Sequence, residues 1–441
     1  MYVQSAVPAA LPDHRPERLT GPCVERLLAR LRATEITEHH RVVEEFWRRA
    51  ETAGTPLVET VEGHPDHRIV TFLWRGHRAT RQVLFLANGL TDRDHLAGSL
   101  MDRVPGTDVW HLGLRLRVDH RGAYRIAADV SAKEPPEDAG VLQARLRSLA
   151  SHAARDPLNR HCVPTRWGAA ESSVLALPDA PAEAWAGVPD GLPAGRVERH
   201  RAPAAALGGP RDVWVYLPPG HRDPAPDGDG GLLPVLVLGD GDMWFGRMRF
   251  QHVLDALVAR GLLPPLAVLA PDAVDRPTRA RQLGAHDAYV EYLADELLPW
   301  AWERWPVTAD PGRTVVAGQG LGAMAALHAG RLRPDCFGHV VAQSPSLWWR
   351  PGTPPGSEHR DTFGTPWMVG QFASGAPRLA TVHLDVGLHE GAAVDHCRAL
   401  YDTLHSVRCA VTRREFNGGP DHICWQQALA DRLVGLLGPA H

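Results

Sequence analysis

The chain has 441 residues, a formal net charge of −4 at pH 7, and hydrophobic and charged fractions of 44% and 22%. This length and composition indicate an ordinary globular protein of two or three domains with at least one large core. The nearly balanced charge, without a basic stripe or an RNA-binding motif, argues against a nucleic-acid partner.

The cysteines and the hydropathy of the chain bear on its compartment. The 6 cysteines are widely spaced and include no C-x-x-C pair, which argues against a disulfide framework or a zinc site. The N-terminus has no basic segment followed by an apolar run, and no stretch approaches the length of a membrane span. We therefore expect a reduced, cytoplasmic protein with no membrane partner.

The N-terminal part of the chain predicts a small domain of short strands. Residues 1–20 are rich in proline, arginine and polar residues and predict a flexible arm. Helices are expected near residues 24–31, 37–53 and 138–152. Short apolar runs alternate with turns and predict strands at residues 67–74, 82–86, 108–116 and 123–127. Closely spaced strands of this kind predict a β-sandwich-like domain over residues 21–175.

The C-terminal half follows a different pattern. Residues 176–212 are dense in proline, alanine and glycine and predict a linker or a connecting hairpin. Strands are then expected at residues 213–217, 235–238, 266–270, 314–317, 340–342, 382–386 and 409–416. Helices are expected between them at residues 253–260, 286–305, 321–331, 400–407 and 424–437. This alternation predicts an α/β fold over residues 213–441, with a parallel sheet covered on both faces.

One stretch of this half has the pattern of a catalytic turn. Residues 314–328 predict a buried strand, a sharp glycine-rich turn and a helix of small residues. In an α/β-hydrolase the nucleophile occupies such a turn as Gly-x-Ser-x-Gly. Here the pattern is Gly318-Gln-Gly-Leu-Gly322, so the scaffold of the turn is present and the hydroxyl is missing at Gly320.

The same turn formally matches the G-x-G-x-x-A pattern of dinucleotide-binding proteins. The acidic residue expected about 20 positions later is absent, because Ala342 and Gln343 stand there. The turn also lies late in the sheet rather than in its first βαβ unit. We therefore expect no dinucleotide, and since no H-E-x-x-H motif occurs, we expect neither a metal nor another cofactor.

Two polar residues follow later strands of the expected sheet. Glu390 follows the strand at 382–386, and His422 follows the strand at 409–416 on a Gly-Gly-Pro loop. The order of nucleophile turn, acid and histidine is that of an α/β-hydrolase. Taken alone, Glu390 would be a solvated loop carboxylate and His422 a residue at a helix start. Their joint placement favours an acid that orients a histidine base.

Other residues at this edge of the sheet are candidates for binding. Backbone N–H groups near Asp242, together with the N–H of Leu321 at a helix start, are candidates for an oxyanion hole, although the first segment is also a simple turn. Arg279 and Arg281 precede a long helix, where they either hold an anionic ligand or are surface charges.

The residues along both halves resemble the enterochelin (enterobactin) esterases. In the N-terminal half the matching segments are Gly54-Thr-Pro-Leu-Val58, Val70-Thr-Phe-Leu-Trp74, Asn88-Gly-Leu90, Pro105-Gly-Thr-Asp-Val-Trp110 and Asp156-Pro-Leu-Asn159. In the C-terminal half they are Leu238-Gly-Asp-Gly241, Arg279-Ala-Arg-Gln-Leu283, Glu296-Leu-Leu-Pro-Trp300, Gln343-Ser-Pro-Ser-Leu-Trp-Trp349 and Gly418-Gly-Pro-Asp-His422. The resemblance covers nearly the whole chain.

The resemblance implies a cytoplasmic enzyme that hydrolyses ester bonds of ferric siderophores and so helps to release iron. It implies that His422 is the base and Glu390 the acid, that amides near Asp242 and Leu321 bind the oxyanion, and that Trp348 and Trp349 line the ligand pocket. The chain departs from the family at two places. Gly320 stands in place of the nucleophilic serine, and Gln282 stands where an acidic residue is expected.

Two functions are compatible with this resemblance. The first is a siderophore esterase that hydrolyses, or formerly hydrolysed, ester bonds of a ferric siderophore, with its activity impaired at Gly320. The second is a catalytically inactive binding or regulatory protein for a siderophore or a related acyl ligand.

Overall fold

The computed structural model describes residues 16–168, 170–187, 191–221, 231–354, 364–374 and 380–439. The expected arm lies outside the described residues up to residue 15, and the first described strand is β1 at Arg18–Leu19.

The N-terminal domain consists of two antiparallel sheets and three helices. Its further strands are β2 Leu57–Thr60, β3 His67–Arg75, β4 Gln82–Ala87, β5 Asp102–Arg103, β6 Val109–Arg117, β7 Arg121–Asp129, β8 Cys162–Pro164 and β9 Glu171–Ala176. Its helices are α1 Pro22–Arg32, α2 His39–Ala53 and α3 Ala139–Ala150. One sheet has the order β1-β6-β3-β2 with β5 beside β6, and the other has the order β4-β7-β9-β8. The expectation of a β-sandwich-like N-terminal domain is confirmed by these two antiparallel sheets.

The core of this domain includes side chains from both sheets. Phe72 of β3 packs against Phe85 of β4 at 4.3 Å and against Tyr124 of β7 at 4.8 Å between ring centroids. Alternating side chains point to opposite faces of a strand, so each sheet presents one apolar face to the shared core. Helices α1 and α2 form a second cluster around the fully buried Trp47.

The C-terminal domain is built on an eight-stranded mixed sheet with the order β10-β11-β13-β12-β14-β15-β16-β17. Its strands are β10 Arg196–Ala202, β11 Arg211–Leu217, β12 Val235–Leu238, β13 Ala267–Pro271, β14 Thr314–Gln319, β15 His339–Gln343, β16 Thr381–Gly387 and β17 Val411–Phe416. Strands β12 to β17 are parallel, as expected. Strand β11 is antiparallel to both neighbours, so the all-parallel prediction is wrong there. Strand β10 lies within the expected connecting segment.

Helices cover both faces of this sheet. They are α4 Gly241–Trp244, α5 Gln251–Ala259, α6 Arg276–Gln282, α7 Asp287–Glu291, α8 Leu298–Trp302, α9 Leu321–Leu332, α10 Trp367–Ala373, α11 Ala392–Ser406 and α12 His422–Leu437. A π-helical segment, Tyr292–Leu297, joins α7 to α8 within the helix expected at 286–305. Pro299 follows it at the start of α8, and proline cannot donate the next helical hydrogen bond.

No helix in the described ranges is both long enough and apolar enough to cross a bilayer. The carboxyl ends of β12, β14, β15, β16 and β17 meet at one edge of the sheet, because these strands are parallel. The glycine-rich turn, Glu390 and His422 all follow strands at this edge, so the fold gathers the predicted site residues there.

Candidate active site

The turn between β14 and α9 has the backbone of a hydrolase nucleophile turn. Gly320 has φ 59° and ψ −117°, a conformation that is strained for any other residue. A Cβ at Gly318 would lie 2.2 Å from the carbonyl oxygen of Gly322, so the turn requires glycine at 318. A Cβ at Gly320 would lie 3.5 Å from Oγ of Ser346, an ordinary van der Waals contact. The turn therefore has room for a side chain at position 320.

Helix α9 begins directly after Gly320. The N–H groups of its first turn, starting with Leu321, have no acceptor within the helix, and the helix dipole makes this end positive. Helix α4 begins nearby, because β12 and β14 are parallel neighbours in the sheet. The amide of Asp242 lies in the first turn of α4. Both predicted oxyanion donors therefore lie at helix starts on the same edge of the sheet.

The carboxylate of Asp242 does not face solvent freely. It accepts a hydrogen bond from the N–H of Ala273 at 3.1 Å and lies 3.5 Å from a guanidinium nitrogen of Arg166. Burial is the main cause that raises the pKa of Asp242 above its ordinary value.

A buried ion cluster lies against the turn. Arg279 donates to Asp240 through Nε at 2.8 Å and through Nη2 at 2.7 Å, and Nη2 also donates to the carbonyl of Gln319 at 3.1 Å. Arg166 reaches the same carboxylate at 2.9 Å from the loop between β8 and β9. Burial favours the neutral acid, but these two arginines outweigh it and lower the pKa of Asp240 to about 2. Arg279 is thus bound to a protein carboxylate, whereas Arg281 is exposed and donates to Oγ1 of Thr278 at 3.0 Å.

His422 is the first residue of α12 and is held between two tryptophans. Its ring centroid lies 4.9 Å from that of Trp425 and 6.0 Å from that of Trp244, edge to face in each case. The indole N–H of Trp244 donates to Oε1 of Gln319 at 3.0 Å, and Gln319 directly precedes Gly320. The tryptophan scaffold therefore connects the predicted base to the glycine-rich turn.

The electrostatic surroundings of His422 favour the neutral imidazole. Burial, and after it the positive charge of Arg166, lower the pKa of His422 to about 3. A neutral ring can accept a proton at pH 7, but a group with so low a pKa is a weak base.

The carboxyl of Glu390 has partners other than the histidine. It accepts hydrogen bonds from Oγ of Ser344 and from the N–H of Gly387, each at 2.6 Å. Burial raises the pKa of Glu390 to about 7. Within the described part of the chain no hydrogen bond joins Glu390 to His422. The two are connected indirectly, because Ser344 accepts a hydrogen bond at 2.8 Å from Trp425, on which His422 packs.

The two tryptophans predicted to line the pocket lie on the loop after β15. Trp348 and Trp349 are partly buried and pack against the core of the C-terminal domain. The ring of Trp349 lies 5.6 Å from that of Trp367 in an edge-to-face contact. Gln282, the other departure from the family pattern, accepts a hydrogen bond from Arg211 at 2.8 Å.

Sequence reasoning missed the ion cluster around Asp240. The segment around Asp242 is predicted from the sequence to form an oxyanion hole or a simple turn, and its carboxylates are assigned no partner, although an acidic pair, Asp240 and Asp242, follows a buried strand. Arg166 has no comparable signal, because it belongs to the N-terminal domain and lies 74 positions from Asp240 along the chain.

The loop that carries His422 is clamped to the N-terminal domain. Asp421 caps α12 by accepting from the N–H of Ile423 at 3.2 Å, and it also accepts from the N–H of Ala123 in β7 at 2.9 Å. Asn417 donates to Oδ1 of Asp119 at 2.6 Å. The position of His422 therefore depends on both domains.

Comparison with known proteins gives matches over most of the chain. The family model "Enterochelin esterase, N-terminal" matches residues 69–186, and the Esterase family model matches residues 204–436. The iron(III) salmochelin esterase of Escherichia coli O6:H1 is 33% identical over 418 residues, which cover 93% of this chain and 97% of that protein.

Two solved structures share this architecture. The ferric enterobactin esterase of Salmonella typhimurium has a TM-score of 0.73 at 29% identity, over 89% of this chain and 98% of that chain. The enterobactin esterase of Shigella flexneri, solved in the presence of enterobactin, has a TM-score of 0.72 at 27% identity, over 89% and 97% of the two chains.

Proposed function

The chain belongs to the enterochelin esterase family, and from this premise we propose that it binds a ferric siderophore in the cytoplasm and hydrolyses its ester bonds, with turnover impaired at Gly320. The observation that carries this proposal is the turn at Gly320. It keeps the strained backbone and the side-chain space of a nucleophile turn, and it lacks the hydroxymethyl side chain of a serine. The ferric ion belongs to the substrate in this proposal.

Each group around the turn has a specific role in the proposed ester hydrolysis. The N–H of Leu321, with an amide near Asp242, binds the oxyanion that forms when the ester carbonyl is attacked. His422 accepts the proton of the attacking group and returns it to the leaving alkoxide. Trp348 and Trp349 offer aromatic surface to the ligand. Arg279 acts indirectly, since its bond to Asp240 fixes the strand ends beside the turn.

Glu390 takes a positioning role in this proposal rather than direct contact with the base. Its hydrogen bond with Ser344 orients the Ser344 hydroxyl, which accepts a hydrogen bond from the indole N–H of Trp425. The ring of Trp425 in turn packs against the ring of His422. A carboxyl with a pKa of about 7 is partly protonated at neutral pH, which weakens its electrostatic support of an imidazolium.

The test compares the wild-type chain with Gly320→Ser on ferric enterobactin, with the released monomers separated by chromatography. Losing the nucleophile typically lowers turnover on the order of 10⁶-fold, so restoring the hydroxyl is expected to raise hydrolysis by orders of magnitude. If the variant and the wild type hydrolyse the ester equally slowly, the proposed function is wrong.

The second candidate function is binding of the siderophore without hydrolysis. It is favoured by the same observation, because the turn has no nucleophilic hydroxyl at position 320. It predicts that the wild-type chain binds the ferric siderophore and releases no monomers even after prolonged incubation. Quenching of tryptophan fluorescence measures binding, and Trp348→Ala is expected to weaken it. Measurable release of monomers that depends on His422 would exclude this candidate.

A further inference from the structure

A hydroxyl group faces the empty side of the turn. Oγ of Ser346 lies 3.5 Å from the point that a Cβ at Gly320 would occupy. The backbone N–H of Ser346 donates to the carbonyl oxygen of Gly320 at 3.1 Å, and the N–H of Gly320 donates to the carbonyl of Gln343 at 3.1 Å. These two bonds fix the loop after β15 against the turn. The backbone of Ser346 is therefore fixed beside the turn.

The hydroxyl of Ser346 is available for a new hydrogen bond. Among the described residues, no group hydrogen-bonds to it. The neighbouring serine is different, because the hydroxyl of Ser344 donates to Glu390 at 2.6 Å and accepts from Trp425 at 2.8 Å. Ser346 is thus a partly exposed hydroxyl beside the turn whose hydrogen-bonding capacity is unused by the fold.

We infer that Ser346 holds the water that attacks the ester, in the space beside Gly320 that a side chain would fill. This inference rests on the proposed function. A hydroxymethyl group takes up about the room of one water molecule. A water about 0.5 Å from that point toward Oγ of Ser346 comes within hydrogen-bond distance of the hydroxyl, on the side of the turn where a hydrolase presents its nucleophile.

The step is a direct hydrolysis. The water oxygen forms a bond to the ester carbonyl carbon while its proton passes to His422, and the carbonyl oxygen becomes an oxyanion at the start of α9. The tetrahedral intermediate then breaks its bond to the alcohol oxygen, which takes the proton from His422. The products are a carboxylic acid and an alcohol, and no covalent bond to the protein forms.

The geometry favours a held water over attack by Ser346 itself. A nucleophilic serine is activated by a base within direct hydrogen-bond reach of its hydroxyl, about 2.6–3.2 Å. No hydrogen bond connects Ser346 and His422 in the residues that the structure describes. A water between the Ser346 hydroxyl and the His422 ring can hydrogen-bond to both groups. Direct attack by Ser346 requires the loop to move, and the hydrogen bond from the N–H of Ser346 to the carbonyl of Gly320 opposes that movement.

The first test is the turnover of Ser346→Ala in the otherwise unchanged chain with ferric enterobactin. Loss of the group that orients the water is expected to lower turnover about tenfold or more. Ser406→Ala, at an exposed serine at the end of α11, is the matched control and is expected to keep wild-type turnover. Thermal unfolding of both variants shows whether the fold is kept. Unchanged turnover in a folded Ser346→Ala would overturn the inference.

The second test uses position 320. Gly320→Ala fills the proposed water space with a methyl group and is expected to lower the residual turnover further. In Gly320→Ser the serine side chain supplies the nucleophile, so no attacking water has to be held. The fold loss of turnover caused by Ser346→Ala is therefore expected to be at least about tenfold smaller in the Gly320→Ser background than in the wild-type chain. An equal loss in both backgrounds would show a structural role for Ser346 and contradict the inference.

A serine-directed fluorophosphonate separates a held water from a covalent intermediate. Peptide mass spectrometry is expected to find the label at position 320 of Gly320→Ser and no label on Ser346 of the wild-type chain. A label on Ser346 would mean that this serine is itself the nucleophile and would overturn the inference. If the wild-type chain and Ser346→Ala hydrolyse the ester equally, only this inference fails. If Gly320→Ser hydrolyses the ester and the wild-type chain is inert, this inference fails and the second candidate, a binding protein without turnover, is supported. If neither hydrolyses it, the proposed function fails as well.

Discussion

At the residue scale, Asp240 is the charge on which the site depends most. It is buried and neutralises Arg279 and Arg166 at distances below 3 Å. Asp240→Asn keeps an acceptor oxygen but removes the main counter-charge of two partly buried guanidinium groups, and Arg166 keeps only the carboxylate of Asp242 at 3.5 Å. Breaking a buried pair of this kind is expected to lower the free energy of unfolding by about 3–5 kcal/mol. Urea denaturation of the variant measures this loss.

Asp242→Asn is the matched control for that prediction. Asp242 is only partly buried, and the pKa of its carboxyl is raised rather than lowered, so its ionised form contributes little to the stability of the fold. We expect a clearly smaller destabilisation than for Asp240→Asn. Equal losses would show that the ion cluster around Asp240 does not stabilise the site as described.

His422 makes the stability of the fold depend on pH, and its lowered pKa determines the direction of that dependence. In the folded chain the pKa is about 3, against an ordinary value of 6.5. Between these two values the unfolded chain binds a proton here that the folded chain does not, so this residue makes the fold less stable as the pH falls through that window.

The free energy of unfolding of the wild-type chain should therefore fall more steeply from pH 6.5 to pH 4 than that of His422→Gln, which lacks the titrating group. Urea titrations at several pH values measure the two slopes. Parallel slopes for the two proteins would mean that His422 titrates normally in the folded chain.

At the scale of single elements, the sequence predicts the parallel strands and the turn best. Strand β12 and residues 315–317 of β14 are continuous apolar runs, and the turn at Gly318 has a glycine pattern imposed by steric contact. The direction of β11 is not predictable in this way, because an apolar run has the same pattern in a parallel and an antiparallel strand. Strand β8 was missed because its 3 residues are too few to show a period. Strand β9 was missed because one of its buried positions is Ser173, so its sequence shows no apolar alternation.

The partners of charged side chains were the part of the site that the sequence could not predict. The position of Glu390 after a strand predicts the edge of the sheet on which it lies. It does not predict that its carboxyl bonds to Ser344, since that depends on the path of a neighbouring loop. The pairing of Arg166 with Asp240 depends on the docking of two domains, which no local pattern describes.

At the scale of the whole molecule, Asp421 links the two domains at the loop that presents His422. Asp421→Ala removes the cap of α12 and leaves the N–H of Ala123 without its acceptor. We expect a loss of about 1–3 kcal/mol in the free energy of unfolding. In the Gly320→Ser background we also expect a lower kcat, because His422 follows Asp421 directly.

Asp138→Ala is a suitable comparison for this prediction. Asp138 caps α3 by accepting from the N–H of Val141 at 2.9 Å, within the N-terminal domain. Its replacement is expected to lower stability without changing kcat. If Asp421→Ala likewise left kcat unchanged, the contact between the domains would not position the base.

We propose that an esterase site surrounds the missing hydroxyl at Gly320. The most direct measurement is the kcat of Gly320→Ser relative to Gly320→Ala on ferric enterobactin. Both variants carry the same backbone strain at φ 59°, and they differ by one oxygen atom. If the remaining groups of the site are intact, we expect the serine variant to be faster by several orders of magnitude. Equal kcat values for the two variants would contradict it.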